Sequence, residues 1–234
     1  MRRAAGLSLL CLVGLVGLVG CSGEEPTPTP TATTASAADR LAAARTKADA
    51  ASSLHLVIRS RDVPSDASGV LAADGVGTRA PAFKGTFDAR LRGAQLKVNM
   101  VSIGGTLYVK VPFTSIYAPT DPARYGFPDP AKLFAKNGGV TELLSATRDP
   151  KLGDRTRAGS EVVRTITGTL PGGLVVDLLG TGTRDGTFDV RYGITEPGDQ
   201  LRTVDVTGPF FGASPSTYTV TLDRYGEKVE ITKP

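Results

Sequence analysis

Residues 83–113, FKGTFDARLRGAQLKVNMVSIGGTLYVKVPF, decide the fold. They read as two consecutive antiparallel hairpins with one apolar face and one polar face. Adjacent glycines supply the positive φ angles that a tight hairpin turn demands. A turn at Gly104-Gly105 pairs Ser102 with Leu107, Met100 with Val109, Val98 with Val111 and Leu96 with Phe113. Asn99 and Lys110 then fall on the opposite face. A second turn, at Gly93-Ala94, sets Leu91 against Leu96, Ala89 against Val98 and Phe87 against Met100. Asp88, Arg90 and Arg92 lie on the polar side with Gln95 and Lys97. Side chains alternate with period two, so a slip of one residue would turn the apolar set outwards. Both turns assign these apolar residues to one surface, and what covers that surface is the question the rest of the chain must answer.

On the N-terminal side, Leu54, Leu56 and Ile58 alternate with His55, Val57 and Arg59, which predicts a first strand. Before it, a helix is expected over 39–53 with Asp39 as its N-cap and Leu41, Ala44, Ala48 and Ala51 at helical spacing. Its apolar face is mostly alanine, so it must lie close against a partner. The glycines and turn residues of 64–77 predict a loop or an irregular edge strand. On the C-terminal side, 115–130 reads as loop and ends at Asp129-Pro130, a helix start. A short helix over 131–136 carries Leu133 and Phe134 and stops at Gly138-Gly139. A second, over 140–147, carries Val140, Leu143 and Leu144. Segment 161–170 alternates only partly, and 174–179 fits a helix or a strand. Phe188, Val190, Tyr192 and Ile194 alternate cleanly, 201–206 follows as a strand, and a last hairpin turns at Tyr225-Gly226. That hairpin places Tyr218, Val220, Leu222, Val229 and Ile231 on one face. The class is α+β: one large antiparallel sheet with a few short helices.

The first residues read as targeting. Arg2 and Arg3 precede an apolar run over 7–19 that is shorter than the roughly 20 residues of a membrane span. The run ends in Leu18-Val19-Gly20-Cys21, a bacterial lipobox. Residues 1–20 are then a lipoprotein signal peptide, and Cys21 is the acylated N-terminus, anchored to the extracytoplasmic side of the cell membrane. Residues 21–38 hold this cysteine and a Pro/Thr-rich tether, and 39–234 form the domain. Cys11 leaves with the signal, so the domain has no cysteine and no disulfide framework. Without Arg2 and Arg3 the formal charge falls near +2, and no Lys/Arg run marks a nucleic-acid surface.

Catalytic signals are sparse. His55 is the one histidine, and no G-x-S-x-G elbow offers a serine for it to serve. His/Cys metal sites are ruled out by count, and phosphate-loop and dinucleotide fingerprints are missing. The carboxylates Asp88, Asp189, Asp223 and Glu230 all sit on the polar face of their strands. Neither an enzyme nor a cofactor is expected. The apolar face is then the functional candidate. A long sheet under short, alanine-rich helices, in a chain without tryptophan, leaves room for a cavity suited to an acyl chain. The alternative is a packed core in a non-carrier envelope lipoprotein, acting as an adhesin or an exporter accessory subunit.

Segments 101–111 (VSIGGTLYVKV), 125–133 (YGFPDPAKL) and 225–234 (YGEKVEITKP) resemble the mycobacterial LppX/LprAFG lipoprotein family, and the resemblance extends over 39–234. It implies a strongly curved antiparallel half-barrel, like the LolA/LolB carriers, with helices crossing the concave face. It implies further that the enclosed cavity takes the acyl chains of di- and triacylated lipids and glycolipids and carries them between membranes, with a major-facilitator exporter as a partner. Phe87 falls where the family has a small apolar residue at the cavity entrance. The surface from Phe87 and Leu91 through Leu96, Val98 and Met100 to Leu107, Val109 and Val111 becomes the lining. Leu133, Phe134, Leu143 and Leu144 become the helical lid.

Overall fold

The computed structural model describes residues 35–234 except 92, 123–127 and 213. The signal peptide, Cys21, most of the tether, the face of Arg92 and part of the 125–133 segment therefore lie outside the described residues.

Eleven strands form one open, curved antiparallel sheet in the order β6-β5-β4-β3-β2-β1-β11-β10-β9-β8-β7. Two meanders build it. The first runs through β1 (Ser53–Arg61), β2 (Gly69–Thr78), β3 (Ala82–Leu91), β4 (Ala94–Ile103), β5 (Thr106–Lys110) and β6 (Ala118–Thr120). The chain then crosses to the far edge and returns through β7 (Arg148–Ala158), β8 (Glu161–Pro171), β9 (Thr187–Thr195), β10 (Leu201–Gly208) and β11 (Ser216–Asp223). Pairing of β1 with β11, with Leu56 opposite Leu222 and Ile58 opposite Val220, seals the two halves together.

Helix α1 (Ala37–Ala50) starts one turn before the expected cap. Ser36 is the N-cap: its hydroxyl accepts from the Asp39 N–H, and the Asp39 carboxylate accepts from the Ser36 N–H. Asp39 is thus the far half of a capping box rather than the cap itself. Leu41, Ala44 and Ala48 are buried, and the absence of larger side chains lets the helix backbone lie close to its neighbours. The crossing segment carries α2 (Glu142–Ala146) within the expected 140–147, and a 3₁₀ turn (Pro130–Phe134) that overlaps the expected 131–136 but starts one residue earlier and ends two earlier. Segment 174–179 resolves as helix within α3 (Gly172–Leu179).

The first hairpin turn holds where expected, with Ser102 opposite Leu107 and Met100 opposite Val109. Its outer end does not, because β5 stops at Lys110 and leaves Val98–Val111 and Leu96–Phe113 unpaired as rungs. The second hairpin is shifted by two residues: Phe87 faces Val98, Ala89 faces Leu96 and Leu91 faces Ala94. An even shift keeps every side chain on its face, so the apolar surface survives the change of register. Of segment 64–77, residues 64–68 are the expected loop, but the rest is neither loop nor edge, since β2 pairs with β1 and β3 over nearly its whole length. Its glycines make room for rings rather than turns. A Cβ on Gly75 would lie 2.5 Å from the Phe83 ring, and one on Gly77 would lie 2.2 Å from the Phe134 ring. The terminal hairpin is also absent. Both sides of β11 are occupied, by β1 and β10, so residues 224–234 have no free edge to pair with.

Candidate functional site

The two halves of the sheet present the same alternating pattern to different surroundings. Over β8–β11, α1, α2 and α3 close down on the sheet. Ile166, Leu170, Phe188, Tyr192, Ile194 and Val204 are completely buried. The Tyr192 hydroxyl donates to the Leu143 carbonyl at 2.9 Å and lies 2.7 Å from the Thr147 hydroxyl, which joins α2 to the sheet. Burial pushes this phenol's pKa well above its ordinary value.

Over β3–β6 the cover is the 3₁₀ turn and the end of α3, and two polar anchors position that turn. The Ser102 hydroxyl, completely buried on β4, donates to Asp129 at 2.6 Å, while the same carboxylate oxygen caps the turn at the Ala131 N–H, 2.9 Å away. Arg79 reaches the turn from the loop after β2 and donates to the Phe134 carbonyl at 2.7 Å. It also donates to the Ala48 and Ala51 carbonyls at the end of α1. Phe134 stacks on Phe83 with ring centroids 5.9 Å apart, and Phe83 meets Phe87 edge-on at 5.5 Å.

Held this way, the turn stops short of the outer strands and leaves a cavity of about 790 Å³. Its floor is Phe87, Ala89, Val98, Met100, Leu107 and Val109. Leu91, Leu96 and Val111 continue the floor outwards, and Leu96 and Val111 become exposed there. Ile58, Val70 and Tyr218 close the inner end; the Tyr218 hydroxyl donates to the Val70 carbonyl at 2.8 Å. Pro130, Leu133, Leu178 and Leu179 form the roof, and segment 113–120 forms the rim. No charged side chain lines the cavity among the described residues; its polar groups are hydroxyls, of Thr114, Ser115, Thr120 and Tyr218. A surface of this kind cannot orient an ion or activate water, but it can solvate a hydrocarbon.

Three expected lid residues lie elsewhere. Phe134, Leu143 and Leu144 belong to the packed core and do not line this cavity. Ile58, Val70, Tyr218, Leu178 and Leu179 line it without having been expected there. Ile58 and Tyr218 alternate visibly onto an apolar face, but only the sheet order brings them to the cavity. His55 faces away from it, with Asp223 2.6 Å from one ring nitrogen and Asp74 3.0 Å from the other. It ties β1 to its neighbours.

The model of the LppX_LprAFG lipoprotein family matches residues 36–231. No curated protein matches the chain. Two crystal structures share the fold. LprF from Mycobacterium bovis aligns with a TM-score of 0.71 at 17% identity, covering 85% of this chain and 96% of that one. The lipoprotein LppX from Mycobacterium tuberculosis aligns with a TM-score of 0.63 at 18% identity, covering 84% and 98%. The chain belongs to the LppX_LprAFG lipoprotein family.

Proposed function

We propose that this LppX_LprAFG family member is an envelope lipoprotein that takes the acyl chains of diacylated or triacylated lipids, glycolipids among them, into the cavity under β3–β6 and moves them between membranes. The observation that carries the reading is a cavity of about 790 Å³ whose lining, among the described residues, holds no charge and is mostly hydrocarbon. An acyl chain leaves a bilayer only if another apolar environment receives it, because each methylene exposed to water costs about 0.8 kcal/mol. A sheltered run of ten methylenes thus avoids a penalty of roughly 8 kcal/mol. The polar head group stays at the rim, beside the hydroxyls of Thr114, Ser115 and Thr120. The mechanism needs no bond making.

Two further parts belong to the proposal. Acylation of Cys21 holds the protein at the extracytoplasmic face of the cell membrane, and the Pro/Thr-rich stretch lets the domain move away from it. A major-facilitator exporter is the partner that would receive or supply the cargo.

Purification from a mycobacterial host followed by organic extraction tests the reading. Acylated lipid is expected at near-stoichiometric yield, and Val98→Trp, which fills the floor of the cavity, is expected to lower it severalfold. A folded Val98→Trp variant with undiminished lipid would overturn the assignment.

A further inference from the structure

The rim contains a feature that lipid storage alone does not require. Phe113 is fully exposed (108%) and Ile116 nearly so (74%), beside the half-exposed Val111 and Leu96. Phe113 is also held in a costly backbone conformation. The Thr114 N–H donates to the Val111 carbonyl at 3.3 Å, and Pro112 and Phe113 form the turn between them. Phe113 has φ of 66°, and a four-residue turn with proline second and a positive φ third calls for glycine at that third place. A bulky aromatic residue there is disfavoured both by its backbone and by its exposure, and among the described residues no packing compensates for it.

The charge around the rim is one-sided. Residues 89–120, which supply the last three residues of β3, all of β4, β5 and β6 and the rim itself, hold Arg90, Arg92, Lys97 and Lys110, and the acids Asp88 and Asp121 bound the stretch on either side. The carboxylate just before this stretch, Asp88, is bonded to Gln95. Lys110 sits with its ammonium 5.3 Å from the centre of the Tyr117 ring, next to the exposed apolar pair. Aromatic and aliphatic tips beside an excess of cations over acids match the interfacial zone of an anionic bilayer. The opposite edge of the sheet is built differently: β7 carries Arg148, Asp149, Lys151, Asp154, Arg155 and Arg157 and shifts register twice against β8.

We propose that the 111–117 rim is a membrane-docking tip, which inserts Phe113 and Ile116 into an anionic lipid surface so that the mouth of the cavity opens onto the bilayer. The proposal deepens the carrier reading by stating how cargo passes without crossing water. It stands on the rim residues, so it can fail while the cavity assignment holds.

The chain has no tryptophan, which allows a single-residue reporter. The full lipid-anchored chain carrying Phe113→Trp, and separately Leu152→Trp on β7, is reconstituted into phosphatidylcholine/phosphatidylglycerol vesicles containing acyl-brominated lipid. Fluorescence of the Phe113→Trp chain should move to shorter wavelength and fall about twofold or more, most strongly with bromines near the ~5–10 Å depth of interfacial insertion. The Leu152→Trp chain should stay unchanged. The rim signal should persist in a Phe113→Trp/Val98→Phe chain whose cavity is obstructed, with organic extraction confirming the loss of bound lipid. Equal quenching at both positions, or none at the rim, overturns docking. Quenching that disappears with the obstructed cavity places the bromines in the cavity, which overturns docking and leaves the carrier reading intact. A blue shift that grows with protein concentration without vesicles assigns the tip to a second copy of the chain and also overturns it.

Discussion

Strands β3–β6 and strands β8–β11 carry the same kind of alternating apolar face, and the fold treats them in opposite ways. Beneath α1, α2 and α3 the second set closes into a core in which Phe188, Ile194 and Val204 are inaccessible. The void bordered by Leu143, Val175, Val206 and Val220 there is only about 20 Å³. Among the described residues the first set is covered by the 3₁₀ turn and the tip of α3, and it keeps about 790 Å³ open. The difference comes from the cover. Alanine at 44 and 48 lets α1 approach its neighbours closely, whereas the Ser102–Asp129 and Arg79 anchors hold the 3₁₀ turn over Phe83 and away from Val109. Period-two patterning reports which face of a strand is apolar, and the length and position of the covering elements decide whether that face becomes a core or a container.

Paired truncations sharpen the contrast most. Phe188→Ala should destabilise the domain by about 3–5 kcal/mol in urea unfolding, since it opens a void in a closed core. Met100→Ala should cost under about 1 kcal/mol, because the space beside it is open already. Equal losses would erase the distinction between the halves. Insertions invert the test. Val204→Trp should cost roughly 1–3 kcal/mol or prevent folding through overpacking. Val98→Trp should fold with little change and displace lipid. A smaller effect is expected at Ser36→Ala, which removes half the capping box of α1: about 1 kcal/mol of stability, with bound lipid unaltered. The smallest concerns Glu196. The Arg155 hydrogen bond, aided by Arg40 and Arg164, holds its carboxyl below the ordinary 4.5. The stability this adds is present above that value and lost as pH falls through the lowered one. Glu196→Gln should therefore flatten the acid limb of an unfolding profile and leave neutral-pH lipid binding unchanged.

Much of the sheet was legible in the sequence, and the failures have identifiable causes. The apolar surface from Phe87 to Val109 could be read although the second hairpin register was off by two, because an even shift preserves the face. Strand β2 was misread because glycine signals a turn in isolation, whereas Gly75 and Gly77 are needed to seat the rings of Phe83 and Phe134. The terminal hairpin failed for a non-local reason: the partners of β11 come from β1 and β10, which no local pattern reveals. The cavity floor was accessible to pattern reading, but its roof was not. Phe134, Leu143 and Leu144 are lid residues only in what the family resemblance implies; the anchors at Asp129 and Arg79 hold Phe134 in the core, and the Tyr192 bond to the Leu143 carbonyl holds α2 there. Alternation set Phe113 opposite Leu96 on the apolar face, but β5 stops at Lys110 and the turn at Pro112-Phe113 leaves the ring exposed at the rim.

Native mass spectrometry of the domain from Ala35 to Pro234, which retains the Ser36 cap and is purified from a mycobacterial host without detergent, tests the container most directly. The expected spectrum shows the protein with mass adducts that denaturation releases as acylated lipid. A clean protein mass, with an organic extract free of lipid, would contradict the account and leave an envelope lipoprotein whose cavity has no cargo.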